Sequence, residues 1–157
     1  MARRTIADIE KIWSNVEGIK KLSDRTIGVG PFGIGLDGLL TWIPVVGTTY
    51  SVGAAGWLLL QAVRAKAPPG TLVQMAGYLG LDSMLTSAGE FVPFGPDLID
   101  LLFTGHLFAA NALQKHIETT HWIEDSEAAA RASGAHDRHM EFIRTNPDKK
   151  RVVYLHD

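Results

Sequence analysis

The chain has no cysteine, which excludes disulfides, thiolate metal ligands and a cysteine nucleophile, and leaves the redox compartment unreadable. It has no lysine or arginine between Ala67 and Gln114, and no charge of either sign between Gly38 and Val63. That charge-free run exceeds the roughly 20 residues a membrane helix requires, although Pro44 and Gly47 interrupt it and argue against one straight span. Fifteen basic and 17 acidic residues leave a net charge of -2, so no basic field exists for nucleic acid and no such partner is expected. Met1-Ala2-Arg3-Arg4 is followed by Asp8, Glu10 and Lys11, without the apolar stretch of a secretory or twin-arginine signal. Also missing are a Gly-x-Ser-x-Gly elbow, a His-Glu-x-x-His pair and a Walker lysine. Gly28-Val29-Gly30-Pro31-Phe32-Gly33 has no strand before it and no Lys-Ser/Thr after it, so it reads as a hinge and not a phosphate loop. Neither enzyme activity nor a cofactor is expected.

What is present is an internal repeat. Gly35-Leu36-Asp37 followed by Ile43-Pro44-Val45-Val46-Gly47 is answered by Gly80-Leu81-Asp82 followed by Val92-Pro93-Phe94-Gly95-Pro96. From the two prolines onward the copies run in step at a shift of 49, which equates Thr48 with Asp97, Ser51 with Asp100 and Lys66 with Lys115. Each copy reads as two helical arms around a Pro/Gly turn. The first has a short arm over 34–42, reaching about 15 Å, and a long arm over 46–66, reaching about 30 Å. The second has arms over 70–90 and 96–118. A short arm of about 15 Å is half a bilayer, so a re-entrant hairpin is as admissible as a fully spanning one.

Around the repeat lie two polar segments. Residues 5–22 set Ile6, Ile9, Trp13, Val16 and Ile19 at steps of three and four, an amphipathic helix that packs on the protein's own core or lies in a membrane interface. Beyond Glu118 the chain turns polar, with short helices expected over 124–133 and 136–145. Arg151–Leu155 carries the one strand-like pattern, too short and isolated to count. The expected fold is all-α: an amphipathic helix over 1–27, a duplicated hairpin membrane domain over 28–118 with repeats at 33–66 and 70–118, and a polar extension over 119–157. The basic residues lie in the N-terminal region, at Arg64 and Lys66, and from Lys115 onward. The positive-inside rule puts all three on the cytoplasmic side, with both termini cytoplasmic and the proline turns at the far face or within the membrane.

Two sets of residues are candidates for function. On the last long helix, Asp97, Asp100, Thr104, Asn111, Lys115 and Glu118 fall on one side at 100° per residue, with Leu98, Ile99, Leu102, Ala109 and Leu113 opposite. The expectation is a polar seam turned to neighbouring helices and an oily face turned to lipid. Carboxylates at membrane depth are costly and face a partner or a watery space. Asp97 and Asp100, with Asp82 and Asp37, are therefore either an ion or proton site or structural caps, Asp97 in particular sitting in a first helical turn. The second set is Gly47, Ser51 and Ala55, four apart, with Gly105 and Ala109 in the second copy, small enough to admit a close helix backbone. Of the six histidines, His116 with His121 and His136 with His139 invite a metal reading, but further ligands have no evident source. They are read as surface polarity, with no metal.

At Gly35-Leu36-Asp37, Ile43-Pro44-Val45-Val46-Gly47, Leu81-Asp82, Val92-Pro93, Gly95-Pro96-Asp97 and Asn111 the sequence resembles a bacterial family known only as domain of unknown function 4112. The resemblance covers residues 20–118 and implies a small helical membrane protein, without implying an activity. The chain departs from that pattern at Thr48, where an aspartate is expected, and at Pro96, which intervenes before Asp97. The leading expectation is an inner-membrane structural or accessory subunit that self-associates or binds another membrane protein. A small cation or proton channel or transporter using the acidic seam is the alternative, and a soluble apolar bundle the second alternative.

Overall fold

A computed structural model describes residues 4–27, 44–88 and 96–156, with side chains considered at 4–18, 20, 52–80 and 105–156. In chain order these residues form α1 (Ile6–Ile27), α2 (Pro44–Arg64), α3 (Pro69–Ala88), α4 (Pro96–Glu118), β1 (Thr120–Ser126), α5 (Glu127–Ala132), α6 (Ala135–Thr145) and β2 (Arg151–His156). Proline opens α2, α3 and α4, where its missing N–H costs nothing and its fixed φ suits the first turn. The fold is mostly helical, with a small sheet that the all-α reading did not contain. The short arm over 34–42 and the turn at Val92-Pro93 lie outside the described residues.

The α2–α3 connection closes within a few residues. Lys66 N–H donates to the Val63 carbonyl at 3.1 Å and Ala67 N–H to the Ala62 carbonyl at 2.9 Å, the paired bonds of a helix stop whose central residue is left-handed. That residue is Lys66, at φ +44, where glycine would be the unstrained choice. Pro68 and Pro69 prevent any continuation. α3 then packs most extensively on α4, and α1 lies along α4 as well.

The core joins Ile9, Ile12 and Val16 of α1 to Leu58 and Ala62 of α2, Met75 and Leu79 of α3, Ala109, Leu113 and Ile117 of α4, and Leu155 of β2. The middle of the amphipathic stripe of α1, Ile9 and Val16, thus enters the protein's own core, with Trp13 packed against its edge and Ile6 left exposed. Polar bonds hold the same interface in register: Trp13 Nε1 donates to Glu118, and Gln114 lies between Lys20 and Glu17, accepting from the first and donating to the second.

β1 and β2 run parallel, pairing Thr120 with Arg151, Trp122 with Val153 and Ile123 with Tyr154, with a bulge before Ser126 meets His156. α5 and α6 form the crossover between them, as a parallel pair requires. Arg151–Leu155 is therefore a strand after all, and its partner is Thr120–Ser126. Ser126 caps α5 by accepting from Ala129 N–H at 3.2 Å. Gly134, at φ +72, starts α6.

No helix among the described residues is long and apolar enough to cross a membrane, so the expected spanning arms are not found. α2 has the length, but Thr48, Thr49, Ser51, Gly53, Gly56 and Gln61 dilute its apolar content.

Candidate functional site

The acidic seam is largely beyond view. Asp37 lies outside the described residues, as do the side chains of Asp82 in α3 and of Asp97, Asp100 and Thr104 in α4. The rest of the seam is described and corrects the expectation. Asn111, Lys115 and Glu118 are exposed, whereas Ala109 and Leu113 are fully buried. At this end α4 turns its polar side outward and its apolar side to the core, the reverse of a polar seam facing neighbours. The reason is α1, which, with α2 and α3, already covers the apolar side of α4.

The small-residue set divides in the same way. The side chains at Gly47 and Ser51 lie outside the described residues. Ala55 packs partly against the core and Ala109 wholly within it, while Gly105 is half-buried. Gly53 and Gly56, beside Ser51 and Ala55, face outward, and a Cβ added to either would meet nothing within 4 Å. Among the described residues no element makes close approach there.

The histidines, read from sequence as surface polarity, gather at a junction of distant segments. His116, near the end of α4, is only 3% exposed. Its Nε2 lies 3.0 Å from the Ala65 carbonyl. A carbonyl only accepts, so Nε2 carries the hydrogen and Nδ1, which is buried without a partner, holds a bare lone pair. Trp122 of β1 meets the His116 ring edge-on at 5.7 Å and donates its own N–H to the Ile117 carbonyl at 3.1 Å. Burial depresses the His116 pKa, with Arg151 adding to that effect and the Ala65 bond opposing it.

A second cluster lies on the crossover. His121 Nε2 of β1 is 3.3 Å from His139 Nδ1 of α6, and Phe142, one turn on, stacks on His121 at 4.4 Å. His136 Nδ1 is 3.0 Å from the Tyr154 hydroxyl of β2, and His139 meets the same ring edge-on. His121 is held below the usual histidine value by burial first, then by His139 and Lys149. Burial and nearby Glu127 raise Tyr154 above its usual range, so its hydroxyl keeps a proton that it can donate to a bare His136 Nδ1. His136 and His139 do share a helix face. His121 pairs with His139, however, and not with His116.

Three bonds from distant segments close the junction. Lys66 Nζ donates to the Tyr154 carbonyl at 3.1 Å, and Lys149 Nζ to the Glu118 carbonyl at 2.6 Å. His156 Nε2 donates to the Arg4 carbonyl at 3.1 Å. Among the described residues no group of three or more His, Asp or Glu side chains is placed to hold a metal ion. The arrangement can hold or release protons and can fasten the α2–α3 turn, the end of α4 and the sheet to one another. Sequence spacing offered one signal for it, the i, i+3 histidines on α6.

The chain belongs to the family described as a domain of unknown function, DUF4112, whose model matches residues 12–117. No curated protein and no solved structure matches it. The match ends within α4, so His116 lies inside it and His121, His136, His139 and Tyr154 lie beyond it.

Proposed function

We propose that this member of the family is a small helical membrane protein built of two repeated hairpins. In this reading it serves as a structural or accessory subunit, self-associated or bound to another membrane protein. The observation that carries the reading is the apolar bulk that α2 leaves on its outer face. Gln61 is 4% exposed, while Leu60 and Val63 on the opposite face are 48% and 56% exposed. Val52 lies on the same outward face, and Val73 of α3 and Phe108 of α4 add further exposed apolar bulk. Burying such a side chain is worth roughly 1.5–3 kcal/mol, and an aqueous surface would forgo much of it at each position. Apolar surroundings would recover it. Since no helix among the described residues is long and apolar enough to cross a membrane, the insertion we envisage is of a bundle that carries apolar side chains on its outer face.

The distribution of charge supports the orientation. Arg64, Lys66, Lys115, Lys149 and Arg151 belong to the segments that meet at the histidine junction. These five basic residues therefore gather at one end of the bundle, and the cytoplasmic leaflet of a bacterial inner membrane is the surface that favours them. The test is an alkaline wash of membranes containing the full chain, with the oligomeric state in detergent measured in the same preparation. The reading expects retention in the membrane pellet and a species larger than a monomer. Quantitative release into the wash as a monomer would overturn it.

A further inference from the structure

α6 is built as a flap. It has no fully buried residue, unlike every other helix and both strands of the junction. It is hinged at Gly134, which is left-handed at φ +72 and gives α6 no side-chain cap, and it ends two residues before Pro147. What holds it to the sheet is a short list of ring contacts: His139 on His121, Phe142 on His121, and His136 and His139 on Tyr154.

The His121–His139 contact tolerates only one hydrogen between the two nitrogens. At 3.3 Å one ring donates and the other offers its lone pair. When both rings are protonated, two N–H groups confront each other and two like charges stand in contact. Phe142, stacked at 4.4 Å, prevents His121 from swinging aside unless α6 moves. The surrounding charges offer no relief: Lys149 acts on His121 with the same sign. On α6, His136 is engaged by Tyr154, and the acidic Asp125 and Glu127 act on that hydroxyl, against Arg131.

We propose that the His121–His139 contact is a proton-operated clasp that releases α6 from the β1–β2 sheet on acidification while the helical core stays folded. Opening uncovers Phe142, His121 and the Tyr154 ring beside the Lys66 bond, so the exposed surface appears where the C-terminal unit meets the bundle. The proposal stands on these contacts alone and does not depend on the membrane reading.

The test uses the full chain. Hydrogen exchange, corrected for the pH dependence of the intrinsic rate, is followed at pH 7.5 and 5.0 for amides of 135–145 and of 109–117. The expected result is at least a tenfold loss of protection in α6 with α4 unchanged. His121→Gln combined with His139→Asn replaces the pair with amides that do not titrate, and protection of α6 should then persist at pH 5.0. Loss of protection in both segments together, no loss in the wild type, or the same loss in the double variant would overturn the proposal. Should the double variant fail to dock α6 at pH 7.5, NMR titration of the wild-type His121 and His139 rings decides. Midpoints coincident with the release of α6 support the clasp, and titration of both rings with α6 still protected refutes it.

Discussion

The two long helices that the sequence repeat equates, α2 and α4, bury different faces. At the shift of 49, exposed Leu60 corresponds to buried Ala109, buried Ala62 to exposed Asn111, and exposed Arg64 to buried Leu113. The buried set of α4 is displaced by about one residue from that of α2, roughly 100° of helix rotation. The terminal lysines keep step, but the helix openings, Pro44 and Pro96, stand 52 apart, and the direction of the core does not keep step either. Sequence symmetry here equates residues without equating helix limits, since the ends Arg64 and Glu118 stand 54 apart. The neighbours fix which way the helices face, and only α4 has α1 and Trp122 packed against its C-terminal half.

The comparison can be broken by moving residues between the copies. Leu113→Ala should have the largest effect, about 2–5 kcal/mol in chemical unfolding, because its side chain is fully buried where three helices meet. Ala62→Asn and Ala109→Leu install each copy's residue at the equivalent position of the other. Each should cost about 1–3 kcal/mol, the first by burying an amide and the second by overfilling a closed site. Tolerance of both would mean that the two copies share a face after all.

Acid sensitivity should follow the second copy, since His116 corresponds to Ala67 in the first. The depressed His116 pKa makes the neutral ring the native one. Its contribution to stability is therefore complete above about pH 6.5, the unfolded value, and is lost as pH falls through the lower folded value. Unfolding midpoints should drop between pH 7.0 and 5.0, and His116→Gln should flatten that slope. The smallest effects belong to the exposed partners of the buried sites. Leu60→Ala and Asn111→Ala should each change stability by less than about 0.5 kcal/mol. Under the membrane reading, Leu60→Ala should still weaken membrane retention or self-association.

The helices were legible because their signals are local. Pro44, Pro69 and Pro96 mark three starts, the period of Ile9 and Val16 marks α1, and Gly134 separates α5 from α6. The sheet was not, because β1 reads Thr-His-Trp-Ile-Glu-Asp-Ser without clean alternation. Its partner Arg151–His156 pairs with it in parallel across the whole crossover. A strand is recognisable by itself only when its own pattern is strong, and here the evidence for each was the other. The burial of His116 was hidden for a related reason: Ala65 and Trp122, which enclose it, come from segments that no spacing rule connects. Over 105–118 the helical wheel of α4 separated its two sides correctly but assigned them to the wrong surroundings, because a wheel cannot tell a packed neighbour from lipid. Asp97 and Asp100 remain the place to test the alternative of cation movement, by liposome flux of the wild type against Asp97→Asn/Asp100→Asn. Equal flux would remove the seam from any such mechanism.

The position of β2 in the chain has a consequence for the order in which the molecule assembles. α1 docks once α4 is present, while α2, α3 and α4 pack on helices adjacent in the sequence and can form as each emerges. The junction cannot, because the Lys66, His136 and Arg4 contacts all wait for Tyr154 and His156. The Lys66 and Arg4 bonds close separations of 88 and 152 residues, so their ordering entropy is spent last. Until that strand arrives, the α2–α3 turn, α6 and the start of α1 are held through His116, His121 and Glu124, and all three complete their fastening in one closing step.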